Sequence, residues 1–505
     1  MKRRQLVRVT RLLLGVSLLF VGWTANAHGQ PSVPRFESAA CPFRPGLGIT
    51  QGTNLSCGYL IVPENRTAGS GRTIRLAVAV FKSPAAHPAP DPVIFLRGGP
   101  GGNLVSEIGP AINATTLGFW AGDHDLVLID QRGTGDSSPF LQCRELVSLE
   151  YRTIDRNLSV KQSDALQAAA ARQCHTRLVA SKIDLSGFTT HQNAADIADL
   201  RSALGYASVN LYGESYGTRL ALEVMRSFPD GIRSVVLDSV VPPNISLFSD
   251  PLRSMGRDFK LLFSSCAASR ACNSAHPQLA ARFYRLTRQL QKKPVQFKAQ
   301  DPSTGKTYTV LLNGDGLDNL LFSGLYVSSL IPQLPDMITS LQAGRLGPAA
   351  HVFSEVGFLG NSLSFGMYYS VECSGDAPYT TAAQVRAAGA ALNPAIRTDE
   401  VQSQIDLLRQ CGFWNVKPDA PAERQPVRSS IPTIVLSGQM DPVTPPANGS
   451  LVVRTLSHGY RFVFPGLGHG ERFTDICPYR MVASFLDDPS VKPDDSCIAR
   501  MSSPF

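Results

Sequence analysis

Gly213-Glu214-Ser215-Tyr216-Gly217 sets one hydroxyl between two glycines, after a strand-forming run and before residues with helical spacing. On a strand-to-helix turn this tight, the backbone at the serine is strained and the flanking glycines make the room it needs. The hydroxyl is lifted above the sheet edge, and the amides of the next helix face any negative charge that develops there. That is the chemistry of acyl transfer. A serine hydroxyl is a poor nucleophile at neutral pH; it needs a base, and the base needs an orienting carboxylate.

On such a sheet the three follow in the order Ser, acid, His. Two histidines lie late enough. His458 in "RTLSHGY" precedes a glycine and reads as the end of a helix. His469 in "FVFPGLGHGE" lies on a loop directly after a strand, where a base belongs. The acid should sit on the loop after the preceding strand, which gives Asp441 in "IVLSGQMDPVTP". Asp238 in "VVLDSVVPP", one strand earlier, reads as a brace under the serine loop. Two backbone N–H groups must receive the oxyanion. Tyr216, after the nucleophile, supplies one, and Gly99 of "LRGGPGG" the other. That glycine cluster lacks the G-K-[ST] ending of a phosphate loop. Asp130 and Arg132 in "DQRGTG" read as loop braces, and the chemistry requires no metal or organic cofactor.

The elements that must position these groups are short apolar strands separated by helical segments. "TIRLAVAVFKS", "SVNLYGESYG" and "IRSVVLDSVVPP" read as strands, "DPVIFLRGGPGG" and "HDLVLIDQRGTGDSS" as apolar runs that end in a loop or turn, and "IPTIVLSGQMDPVTPP" as the return of the sheet pattern, while "HQNAADIADLRSALGY" and "TRLALEVMRSFPDG" have helical spacing. This alternation predicts a mostly parallel sheet covered by helices on both faces. It breaks at about residue 244 and resumes at about 431, so a mainly helical cap is expected between two core strands. The expected organisation is a signal peptide over 1–27, the first part of the core over 28–243, the cap over 244–430 and the rest of the core over 431–505. Residues 28 to 70 are rich in Pro, Gly and Ser and show little periodicity.

The first 27 residues combine five basic side chains, an apolar run from Leu12 to Trp23 and Ala25-Asn26-Ala27. That is the pattern of a cleaved export signal, and the apolar run is too short to span a bilayer. The mature protein is expected in the periplasm or outside the cell, with no membrane attachment. Loss of those basic residues lowers the formal charge from +8 to +3 over the 505-residue chain, which excludes an electrostatic footprint for nucleic acid. The ten cysteines lie beyond the signal, an even count that reads as a disulfide set in an exported chain. Their spacing suggests sequential pairs: Cys41–Cys57, Cys143–Cys174, Cys266–Cys272, Cys373–Cys411 and Cys477–Cys497. No C-x-x-C occurs to suggest zinc. The sequence leaves the oligomeric state open.

"RGGPGG", "DQRGTGDSS", "GESYGT", "SGQMDPVTP" and "GLGHG" together resemble the α/β-hydrolase fold. More narrowly they resemble the proline iminopeptidase-like and secreted tripeptidyl aminopeptidase branch of serine peptidases. Arg97 stands where the iminopeptidase pattern has His. The resemblance implies an exopeptidase acting on peptides with a free N-terminus, with a cap carboxylate holding the substrate ammonium; a buried cation needs a paired anion. Glu372 and Asp376 in "SVECSGDAPY", flanking Cys373, are candidates, as is Glu214 beside the nucleophile. The alternative is a secreted carboxylesterase using the same three side chains.

Overall fold

In the computed structural model, residues 33–358, 360 and 362–505 are described. The expected signal peptide lies outside them. The strands are β1 (Arg35–Ser38), β2 (Leu55–Pro63), β3 (Thr73–Phe81), β4 (Ala89–Leu96), β5 (His124–Ile129), β6 (Val209–Glu214), β7 (Ile232–Asp238), β8 (Val295–Gln300), β9 (Thr307–Leu312), β10 (Thr433–Gly438) and β11 (Gly459–Phe464). Nine of them form one sheet in the order β1-β2-β3-β5-β4-β6-β7-β10-β11, and β8 and β9 pair as a separate hairpin. From β5 to β11 every neighbouring pair is parallel. β1, β2 and β3 extend the sheet antiparallel at the β5 edge.

The central strands read as unbroken apolar runs because both faces are covered. Along β4, Ile94 and Leu96 pack into one core with Leu211, Leu220 and Val235. Val93 and Phe95, pointing the other way, pack into a second core with Leu128, Tyr212 and Leu436. The period of two is present, but each face meets a hydrophobic layer, so the alternation carries no polar mark.

Between β7 and β10 the chain is a mainly helical insertion, as expected, with an apolar core of its own that includes Phe259, Phe283, Leu320, Leu334 and Met337. The hairpin β8–β9 inside it was not anticipated. Nor were β1 and β2, which fall in the Pro-, Gly- and Ser-rich stretch. β2 carries the apolar residues Leu60, Ile61 and Val62 against β3, over nine paired positions. Ser159 opens the unanticipated helix Val160–Ala180 with a capping box closed by Gln162.

All five cysteine pairs are joined as the spacing suggested. Among the described residues, no helix is long and apolar enough to cross a membrane.

Candidate active site

Ser215 directly follows β6 and is the N-cap of the helix Tyr216–Ser227. Its backbone sits at φ +56°, ψ −124°, a conformation that a non-glycine residue keeps only when its surroundings impose it. The neighbours do so. The Ser215 N–H donates to the Asp238 carbonyl at 2.9 Å. A β-carbon on Gly213 would lie 2.5 Å from the Gly217 carbonyl oxygen, and one on Gly217 would overlap the Leu96 carbonyl. The two glycines of the motif are therefore a packing requirement: the helix start is pressed against the strand ends.

Gly98 is held as tightly. A β-carbon there would come within 2.7 Å of the Ser215 β-carbon and 3.3 Å of Oγ. The glycine loop thus lies directly over the hydroxyl, with Gly99 at φ +123°. Asp130 anchors the segment after this loop, accepting from the N–H groups of Leu104 at 2.7 Å, Val105 at 3.1 Å and Asp136 at 2.8 Å. Burial pushes its carboxyl up to about 6 in spite of those bonds. Arg132 is fully buried and forks onto Asp196 with two bonds of 2.7 Å. Both residues brace loops, as read from the sequence.

His469 follows β11, and its Nδ1 lies 2.8 Å from Asp441 Oδ2. Asp441 is fully buried and amply solvated by the protein: Oδ1 accepts from the N–H groups of Val443 at 2.9 Å and Thr444 at 2.8 Å, and Oδ2 from the Thr444 and Ser239 hydroxyls. Burial alone would raise this carboxyl, but the His469 charge and these bonds outweigh it and hold it below the ordinary carboxylate range. His469 shows the converse. Burial works against its charged form, yet Asp441 beside it, with Glu214 and Asp238 further off, lifts the imidazole above its ordinary value.

Asp238 lies behind this pair. It accepts from the N–H groups of Glu471 at 2.9 Å and Arg472 at 3.2 Å, and from the Tyr212 hydroxyl. It ties the loop after His469 to β7 and makes no bond to the imidazole, which agrees with its reading as a brace. His458 lies elsewhere, with Nδ1 2.9 Å from the Ser430 carbonyl oxygen.

Ser215, His469, Gly99, Tyr216 and Glu214 line one cavity of about 470 Å³. Among the described residues no hydrogen bond joins Ser215 Oγ to the imidazole. Such bonds are often long before substrate binds. The remaining walls include residues that sequence reasoning did not assign to the site: Glu107, Leu363, and Phe322 and Tyr326 from the helix Gly314–Tyr326 of the insertion. Arg97 lies 3.4 Å from both Glu107 and Glu214. Two carboxyl groups share one guanidinium, a formal excess of one acidic group on the wall. Burial raises the Glu107 carboxyl, Arg97 lowers it and Glu214 raises it further. An acidic cavity wall gives no local sequence signal, because its members come from separate segments.

Glu372 and Asp376 do not line this cavity. Both sit at or just past the C-terminal end of the helix Phe365–Gly375. Asp376 is taken up by Arg219 at 3.0 Å, by Arg424 and by the Leu247 N–H at 2.8 Å. Glu372 is buried beside it with neither oxygen hydrogen-bonded, and burial and the Asp376 charge push its carboxyl well above the ordinary range. Their i, i+4 spacing turns them together toward Arg219 of the helix Tyr216–Ser227.

A nucleophile turn at the carboxyl end of a parallel strand, an acid and a histidine on loops further along the same edge, and a helical insertion over them define a hydrolase of one architectural class. The chain belongs to the α/β-hydrolase family, whose model it matches over residues 91–470. It is 26% identical over 456 residues to the serine protease Hip1 of Mycobacterium tuberculosis, covering 85% of this chain and 84% of that protein. It is 32% identical over 199 residues to the tripeptidyl aminopeptidase of Streptomyces coelicolor, covering 38% and 36% of the two chains. It is 27% identical over 261 residues to carboxylesterase B of Mycobacterium tuberculosis, covering 49% and 48%.

Proposed function

We propose that the protein is an exported serine exopeptidase that releases short peptides or single residues from the free N-terminus of peptide substrates through an acyl-enzyme. Ser215 is the nucleophile, His469 the general base and then the general acid, and Asp441 the group that fixes the imidazole and stabilises its cation. His469 takes the Ser215 proton as Oγ attacks the scissile carbonyl. The amides of Gly99 and Tyr216 receive the oxyanion, each contributing about 3–4 kcal/mol of transition-state stabilisation. His469 returns the proton to the leaving amine, and water, deprotonated by the same ring, releases the acyl group.

The observation that carries the preference for a free amine is Glu214. It adjoins the nucleophile on the wall of the same cavity and shares Arg97 with Glu107. The surplus acidic group there favours a substrate cation within a residue or two of the cut. The similarity to a tripeptidyl aminopeptidase and to Hip1 supports the same reading, and the five disulfides support export.

Peptide arylamides with free and acetylated N-termini test it. The free substrate should be cleaved at least tenfold faster, and Glu214→Gln should erase most of that preference by raising KM for the free substrate. Equal rates on the two substrates would overturn the exopeptidase reading. The second reading, a carboxylesterase, is favoured by the apolar part of the cavity, Val241, Leu247, Phe322 and Leu363. An acyl-enzyme forms equally from an ester, and this reading predicts faster turnover of short acyl esters than of either arylamide.

A further inference from the structure

Behind the imidazole lies a buried group that the mechanism above does not use. Glu471, two residues after His469, is fully buried. Its Oε1 accepts from the Gly438 N–H at the end of β10 and lies 3.1 Å from Ser239 Oγ, and its Oε2 lies 3.3 Å from the same oxygen. Ser239 Oγ is also 2.9 Å from Asp441 Oδ2 and accepts from the Gly470 N–H at 2.9 Å. Ser239 is held at φ +58°, in the left-handed region, so its hydroxyl is placed there by the backbone.

The protons at this junction can be counted. Ser239 Oγ has two carboxyl neighbours and one hydrogen to give. Asp441 is ionised and accepts from His469, Thr444, Val443 and Ser239. With the Ser239 hydrogen directed to Asp441, a Glu471 carboxylate would press oxygen lone pairs against those of Ser239. A second hydrogen is required, and Glu471 is the group that can carry it. The Asp238 carboxylate is also within reach of the Glu471 carboxyl, so the same hydrogen has a second acceptor.

The other charges facing Glu471 make the same demand. Asp238 comes from the end of β7 and Asp441 from the loop after β10. The neighbouring Arg472 places its guanidinium over the Tyr212 ring at 5.1 Å, and His469 is a cation only when protonated. Burial, followed by the Asp238 and Asp441 charges, pushes the Glu471 carboxyl well above its ordinary range.

We propose that Glu471 is a neutral carboxylic acid in the working protein and a positioning residue, which directs the Ser239 hydroxyl onto Asp441 and so fixes the carboxylate that holds His469. The proposal rests on Ser215, Asp441 and His469 having the roles given above. It adds a chain of four groups, Glu471 to Ser239 to Asp441 to His469, in which only Asp441 is charged before substrate arrives.

The test is the rate at which a fluorophosphonate probe labels Ser215 in the full chain, followed across pH. Glu471→Gln keeps an acceptor for the Gly438 N–H and a donor for Ser239. It should label within about threefold of the unaltered rate, with its acid limb unmoved to about 0.2 pH unit. Glu471→Leu fills the space without either bond and should slow labelling about tenfold or more, the effect of removing one hydrogen bond to a buried charged network. Ser239→Ala cuts the chain one link further on and should slow it similarly. The double variant should be no slower than the slower single one, since every break interrupts the same chain.

A fall of the acid limb by about half a pH unit or more in Glu471→Gln would show that a negative charge had been removed beside His469, and would overturn the proposal. Unaltered labelling in Glu471→Leu would overturn it too. Should that variant not fold, unaltered labelling in Ser239→Ala overturns it equally. Absence of labelling in the unaltered protein would overturn the roles of the triad and this proposal together, whereas a labelled parent with a shifted Glu471→Gln limb removes the proposal alone.

Discussion

The N–H of His469 donates to the carbonyl oxygen of Tyr326 at 3.0 Å, and the two rings lie 5.0 Å apart between centroids. Next to it, the Gly468 N–H donates to Ser328 Oγ at 2.9 Å. The loop that carries His469 is therefore built half on the sheet and half on the helical insertion. Tyr326→Ala keeps the backbone bond but removes the ring beside the imidazole. It should lower kcat about tenfold while the melting temperature changes little. Unchanged kcat would show that the ring contact has no part in placing the base.

Ser215→Ala should abolish turnover and fluorophosphonate labelling and leave the circular dichroism spectrum unaltered. The helix start, the glycine contacts and the strained turn survive that change, because the constraint lies in the backbone. Residual turnover above the level of an unrelated protein would remove Ser215 from the mechanism.

The pH dependence follows from the Asp441–His469 pair. The imidazole works as a base only when neutral, and its neighbours raise its pKa above the ordinary 6.5. The rate should thus fall as pH drops, with the acid limb of kcat/KM centred above 6.5. Asp441→Asn removes the charge that raises the ring and leaves it free to adopt the other tautomer. It should cost about four orders of magnitude in kcat and move any remaining limb to lower pH. A limb that stays in place in Asp441→Asn would mean that another group governs it.

Gly98→Ala tests the contact between the glycine loop and the nucleophile. Its methyl group would meet the Ser215 β-carbon at 2.7 Å and the Glu214 carbonyl oxygen at 3.0 Å, neither of which can swing away without a backbone shift. The expected result is a loss of about a hundredfold or more in kcat with the fold retained, since Oγ must move off its line to the carbonyl. Wild-type kcat would show that the loop can yield.

The candidate site's geometry was legible where it is written in contiguous residues. The turn at Ser215 needs glycine on either side because backbone presses on backbone there, so the motif is local. Asp441 and His469 were legible because each follows a recognisable strand. The wall of the cavity was only half legible: Glu214 belongs to the motif, whereas Glu107, Arg97 and Leu363 converge from three further segments. Glu372 and Asp376 mislead for a related reason. The acids near Cys373 are visible, but which way that helix end faces is set by Arg219 and Arg424, from distant parts of the chain. β1 and β2 gain their order from pairing with β3, which a single-strand reading does not contain. The helix Val160–Ala180 buries Ala170, Ala171, Cys174 and Leu178, small or few apolar residues that leave a faint stripe.

Reduction should affect stability before chemistry. Cys373–Cys411 closes the longest of the five loops, with a sequence separation of 38, and no cysteine lines the cavity of Ser215. Replacing that pair by alanines should cost roughly 2–4 kcal/mol of folding stability. The melting temperature should fall while the labelling rate at low temperature stays the same. Unchanged melting would show that the crosslink adds nothing beyond the packing around it.

Each of the five crosslinks joins a cysteine to the next one along the chain, across separations of 6 to 38 residues. A polypeptide oxidised in the order in which it emerges from a translocation channel would form every correct bond at the first encounter. Exported in that way, such a chain would need a thiol oxidase and no isomerase to undo mistaken partners.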